Sequence, residues 1–172
     1  MTVDPALLTG LGAAFSIFFS ALGSAIASAE AGVYALRSTS GVLSFVPIVI
    51  SGVLAIYGII ISVLLSGKFA NADAATITVS DGYRYLCSGL SVGLACAASG
   101  VGMARFIRET NLSGAKIPSG TAVAPETAPL LGNGASRDVG SVPPCGKRYM
   151  LVMVFLEAIA LYGLIVALFL QG

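Results

Sequence analysis

The sequence predicts an all-α membrane protein, with four transmembrane helices arranged as two duplicated helical hairpins. Three observations carry this. The chain of 172 residues is 56% hydrophobic and only 10% charged, with a mean hydropathy of +0.94, whereas a soluble domain carries about 25% charged residues. It contains four apolar runs, each longer than the roughly 20 residues an α-helix needs to cross the hydrocarbon core. The second and fourth runs also share a motif: residues 54–58 are Leu-Ala-Ile-Tyr-Gly and residues 159–163 are Ile-Ala-Leu-Tyr-Gly.

The runs span about 7–36, 45–66, 85–106 and 149–170. In lipid every backbone amide must be satisfied within the segment, so they are helices rather than strands. The chain starts Met1-Thr2-Val3-Asp4-Pro5, with an acid where a signal peptide would be basic, so the first run is expected to remain in the mature protein. Residues 1–66 form the first hairpin, 67–84 a connection and 85–172 the second hairpin.

The first and third helices are rich in small residues at a spacing near four: Gly12, Ser16, Ser20, Gly23 and Ala27, then Gly89, Gly93 and Ala97. That spacing lines up one helix face and lets backbones approach closely. An ordinary contact between two helices explains it, and so does an inner wall where several copies crowd an axis; spacing alone does not separate the two, but a row on the first and third helices and only weakly on the second and fourth favours the inner wall. The second and fourth helices are bulkier. Pro47 falls in the first turn of the second, where its missing N–H costs nothing.

Residues 108–148 differ in kind. They hold five of the seven prolines and six glycines, with Ser, Thr and Ala between, and are expected to form a flexible loop. Arg105, Arg108, Lys116, Arg137, Lys147 and Arg148 lie in or beside it. The positive-inside rule therefore puts this loop, and the first connection with Arg37, in the cytosol. Both termini and the connection carrying Lys68, Asp73, Asp81 and Arg84 then lie on the opposite side of the membrane.

The net charge of +1 argues against nucleic acid as a partner. There is no His, and Cys87, Cys96 and Cys145 lack metal-ligand spacing, so no metal or other cofactor is expected and packing is the favoured role for the thiols.

Glu157 is the chemical centre. Eight residues of the fourth apolar run precede it, so it sits about 12 Å into that helix, near the midplane of a core roughly 30 Å thick. An ionised acid there costs at least about 2.5–3.5 kcal/mol. Glu157 should be neutral while it faces lipid and ionise beside a cation or water. A group whose charge depends on what it faces is a proton carrier if it can move between environments. The plain alternative is a structural hydrogen bond to a neighbouring helix. The adjacent turns offer Val154, Phe155, Leu156, Ala158 and Ala160, none of them polar, which suits a proton better than a metal ion needing several oxygen ligands. Tyr57, Ser51 and Tyr162 are the candidate hydrogen-bond supports. In the repeat register Glu157 corresponds to Gly52, so only one hairpin carries the acid. Glu30, near the cytosolic end of the first helix, is expected to be solvated at the interface.

These residues resemble a known family. Pro47 to Gly58, Gly89 to Leu94 and Phe155 to Leu168, with the acid five residues before Tyr-Gly, are similar to the proteolipid c subunit of vacuolar-type proton ATPases. The likeness covers all four helices. It implies a homo-oligomeric or mixed-proteolipid ring with the first and third helices inside. It also implies a stator a-type subunit and other pump subunits as partners, and a home in a vacuolar, lysosomal or other acidic endomembrane. By resemblance Glu157 carries protons during ATP-driven rotation, with no catalytic site in this chain. The competing reading is a tetraspan channel or structural proteolipid without ATP coupling; a solute carrier acting alone would have broken helices at its site, and the fourth helix has no proline. The chain departs from the family in its longer proline-rich loop, in Met103 to Arg108 at the end of the third helix, and in Glu30.

Overall fold

A computed structural model describes residues 4–37, 44–71, 78–114 and 147–172. Among them are four long helices: α1 (Pro5–Arg37), α2 (Val46–Asn71), α3 (Val79–Gly114) and α4 (Lys147–Gln171). All four are long and apolar enough to cross a membrane. The bounds of α1 and α4 lie within two residues of those expected, whereas α2 runs five residues past Ser66 and α3 is longer at both ends.

The early start of α3 has a local cause. Thr78 Oγ1 accepts a bond from the Asp81 N–H at 3.3 Å, and Asp81 Oδ2 accepts from the Thr78 N–H at 3.2 Å and from the Thr78 hydroxyl at 2.6 Å. This reciprocal capping box satisfies the orphan donors of the first turn. At the other end, Ile107 and Asn111 are buried while Arg108, Glu109 and Leu112 are exposed. Thr110 Oγ1 donates back to the carbonyls of Phe106 and Ile107 at 3.0 and 2.8 Å. At 36 residues the helix is about 54 Å long and projects beyond a hydrocarbon core of roughly 30 Å. Residues 108–114, expected at the start of the loop, are therefore helical. The rest of that loop up to residue 146, with Cys145, lies outside the described residues.

In lipid there is little hydrophobic drive between helices, so close backbone approach and interhelical hydrogen bonds hold the bundle. The most extensive contact is α1 against α3. A Cβ on Gly12 would stand 2.7 Å from the Tyr85 carbonyl oxygen, and one on Gly89 would collide with the Gly12 backbone. Gly23 meets Cys96 and Gly100 in the same way one step further along, so α1 and α3 run parallel. Ser16 and Ser20 instead turn to α2, donating to the carbonyls of Gly58 (2.8 Å) and Leu54. The small-residue row of α1 is thus shared between two helices of its own chain: Gly12 and Gly23 face α3, Ser16 and Ser20 face α2. Ala27 is buried, as are Gly89 and Gly93, and Ala97 is half-buried.

The second hairpin repeats this construction. Ser88 donates to the carbonyl of Ala167 at 2.8 Å and Ser99 to that of Leu156 at 2.6 Å, so α4 runs antiparallel to α3. Each Tyr-Gly glycine lies against the helix that precedes it: a Cβ on Gly58 would meet Ser16 and Ser20, and one on Gly163 would meet Ala95 and Ser91. The hairpins are tied at both ends. Lys68 Nζ donates to the carbonyl of Gln171 and lies 5.6 Å from the Tyr85 ring centroid, while Gln171 Nε2 donates to Ser88 Oγ at 3.0 Å. At the opposite end Tyr149 stacks on Tyr34, with centroids 5.4 Å apart, and contacts Phe106 at 5.2 Å.

Candidate functional site

Position 157 falls on the border between two faces of α4. Met153, Ala160, Gly163 and Ala167 are buried against the bundle, and Val154, Leu161, Ile165 and Leu168 are exposed. Glu157 is half-buried between these rows, so its side chain can reach inward to a partner or outward to whatever covers the bundle.

The inward partner comes from the other hairpin. The Tyr57 hydroxyl donates to Glu157 Oε1 at 3.1 Å. Helix geometry explains why a residue five positions beyond the repeat equivalent of Glu157 supplies it. Side chains on a helix tilt toward its N-terminus, and α2 runs in the same sense as α4. Tyr57 therefore swings its hydroxyl back toward the level of Gly52, the repeat equivalent of Glu157.

Tyr162 has the same spacing within α4 but points elsewhere. Five residues at about 100° each place it roughly 140° around the helix from Glu157, and it is 66% exposed. Ser51 is fully buried on the side of α2 that faces α1, where its hydroxyl donates to the Ile48 carbonyl at 2.9 Å and shares a 2.8 Å hydrogen bond with Ser28. Of the three candidate supports, then, the structure brings Tyr57 to the carboxyl and pairs Ser51 with Ser28. Among the described residues no three His, Cys, Asp or Glu side chains gather in one place. Glu30 is half-buried on α1.

No protein-family model matches the chain. Over 165 residues, 93% of this chain and 87% of the other, it is 31% identical to the V-type proton ATPase 16 kDa proteolipid subunit c of Nephrops norvegicus. The chain belongs to the V-type proton ATPase proteolipid family. It is also 29% identical to V-type proton ATPase subunit c′ of Candida glabrata and of Saccharomyces cerevisiae, each time over 93% of this chain and 84% of the relative.

Within this proteolipid one further residue bears on Glu157. The hydrogen bond from Ser99 to the Leu156 carbonyl fixes α4 to α3 one residue before the acid, and Gly102 packs beside the Leu156 side chain. The sequence signal for Ser99 is weak: a serine among small residues reads as part of a packing face, and its backbone partner leaves no trace in the sequence. Chemically, a carboxyl with one oxygen engaged by a phenol can hold a proton on the other oxygen.

Proposed function

We propose that this proteolipid is a proton-carrying subunit of the membrane-sector ring of a V-type ATPase, with Glu157 as the carrier. The observation that supports it best is the setting of Glu157: a single acid on the border of the lipid-side face, hydrogen-bonded by Tyr57 of the other hairpin. Protonated, it is neutral and can travel through lipid. Beside a stator cation or a water-filled half-channel it ionises and gives up the proton. ATP hydrolysed elsewhere in the pump turns the ring and brings each copy to that point. Tyr57 orients the carboxyl throughout, and Ser99 holds the backbone that carries it.

The ring consists of copies of this chain or of this chain with other proteolipids, set against a stator subunit. Its home is an acidic endomembrane, vacuolar or lysosomal, with both termini lumenal and the α1–α2 and α3–α4 connections cytosolic. A hydrophobic carbodiimide condenses with protonated carboxyls in apolar surroundings, so it should modify Glu157 and stop ATP-driven acidification in step. Pumping that survives complete modification of Glu157, mapped by mass spectrometry, refutes the assignment.

A further inference from the structure

The Tyr57–Glu157 contact is backed by two groups that the carrier reading does not use. Cys96 of α3 is fully buried and belongs to the cluster, with Leu54, Val92 and Ala160, against which Tyr57 packs. Its thiol is hydrogen-bonded to Ser20 of α1, and it lies near enough to the Tyr57 phenol for the two to interact electrostatically. Ser20 in turn donates to the carbonyl of Leu54, three residues before Tyr57 on α2. Each of the four helices thus supplies one side chain to a connected set: Ser20, Tyr57, Cys96 and Glu157.

The protons give the set a direction. A serine hydroxyl has one proton, and that of Ser20 is committed to the Leu54 carbonyl. The Cys96 thiol is therefore the donor to Ser20, which fixes its rotamer. Tyr57 is half-buried, and its ring can turn about two side-chain bonds. Its hydroxyl stays at Glu157 only if the ring is walled on its inner side. A polarizable sulfur packs well on an aromatic ring, and one anchored by Ser20 makes such a wall.

Neither group is repeated in the second hairpin. Ser20 lies against Gly58, the glycine of the first Tyr-Gly pair; the residue in that place against Gly163 is Ala95. The same step along the chain takes Cys96 back to Ala21, which is exposed. Packing that both hairpins need recurs in both, as Ser16 against Gly58 and Ser91 against Gly163. The thiol and the Ser20 hydroxyl occur only beside the tyrosine that meets the acid.

We propose that Cys96, anchored by Ser20, is a positioning residue for the Tyr57 hydroxyl, and through it for the Glu157 carboxyl. The sulfur touches neither the acid nor the proton; it holds the ring whose hydroxyl does. This deepens the carrier reading above and rests on it for any effect on pumping, whereas the coupling of Cys96 to Tyr57 stands apart from turnover.

A double-mutant cycle on the full chain in its own membranes tests this. The readout is the initial rate at which a hydrophobic carbodiimide labels the peptide containing Glu157, at fixed pH and normalised to the proteolipid present. Tyr57→Phe should change that rate by about two- to tenfold, the effect of one ordinary hydrogen bond. Cys96→Ala should change it in the same direction and by no more than Tyr57→Phe does. Cys96→Ser, which can still donate to Ser20, should lie closer to the unsubstituted chain. In a chain that already carries Tyr57→Phe, Cys96→Ala should have no further effect, because the group it acts through is gone. A residue that merely fills space would act equally in both backgrounds, since independent effects add.

A rate indifferent to Cys96→Ala or to Tyr57→Phe overturns the proposal, and so does an effect of Cys96→Ala that persists undiminished beside Tyr57→Phe. If Cys96→Ala does not accumulate, Ser20→Ala leaves the thiol in place, removes its acceptor and is put through the same two backgrounds. Labelling needs no ATP and no rotation. A failed cycle therefore leaves the carrier assignment standing, and acidification by a Glu157→Gln pump would sink that assignment while leaving the coupling intact.

Discussion

Tyr57→Phe removes one oxygen and keeps the ring, so it isolates the hydroxyl that meets Glu157. The contact is 3.1 Å long, slightly beyond the usual O–H···O range of about 2.5–3.0 Å, so a net value near the ordinary about 0.5–1.5 kcal/mol applies rather than the larger figure for charged partners. If that energy serves to hold the carboxyl in position for transfer, its loss slows pumping by about 2- to 13-fold, because about 1.4 kcal/mol is a factor of ten. The assay is the initial rate of ATP-driven acidification in vesicles, read by quenching of a pH-sensitive dye and normalised to the assembled proteolipid. A rate within experimental error of the unsubstituted pump would show that the hydroxyl plays no part. Complete loss from a fully assembled ring would show that Tyr57 does more than position the acid.

Four further outcomes follow from the packing and capping. Gly89→Val drives side-chain atoms into the Gly12 backbone and should cost about 1–3 kcal/mol or more by overpacking. Gly32→Ala, where a Cβ meets nothing within 4 Å, should leave the thermal stability of the detergent-solubilised protein unchanged or slightly raised. Thr78→Ala breaks the capping box of α3 and should cost about 0.5–2 kcal/mol, visible as faster hydrogen exchange of the amides of residues 79–82 without change in the rest of the helix. Ser99→Ala loses the bond to the Leu156 carbonyl and should lower unfolding stability in detergent by about 0.6 kcal/mol, the average for hydrogen bonds between membrane helices.

The four spans were legible because hydrocarbon selects for long apolar runs, and α1 and α4 end where the apolar residues end. Hydropathy misplaced the ends of α3 because it does not register capping or the exposed turns of a helix outside the core. Thr78-Val-Ser-Asp81 was a readable start signal, while the continuation through Arg108 and Glu109 depends on Ile107 and Asn111 being covered by neighbours. Tyr57 could be picked out because duplication marks it and a tyrosine in an apolar helix needs a partner. Ser51 was drawn to the site by its place next to Gly52, yet adjacent residues on a helix point about 100° apart, and that turn sends it to Ser28. The small residues of α1 were visible as a row, but only the structure divides Gly12 and Gly23 from Ser16 and Ser20, because a row of equal spacing does not say which neighbour lies on which side.

The most direct test of the carrier assignment is ATP-driven acidification by a pump whose proteolipid carries Glu157→Gln. The substitution preserves shape and an acceptor for the Tyr57 hydroxyl, but the amide cannot cycle a proton. Rings should assemble in normal amount, with no acidification above the level seen without ATP. A fully assembled Glu157→Gln ring that still acidifies its vesicles would contradict the account at its centre.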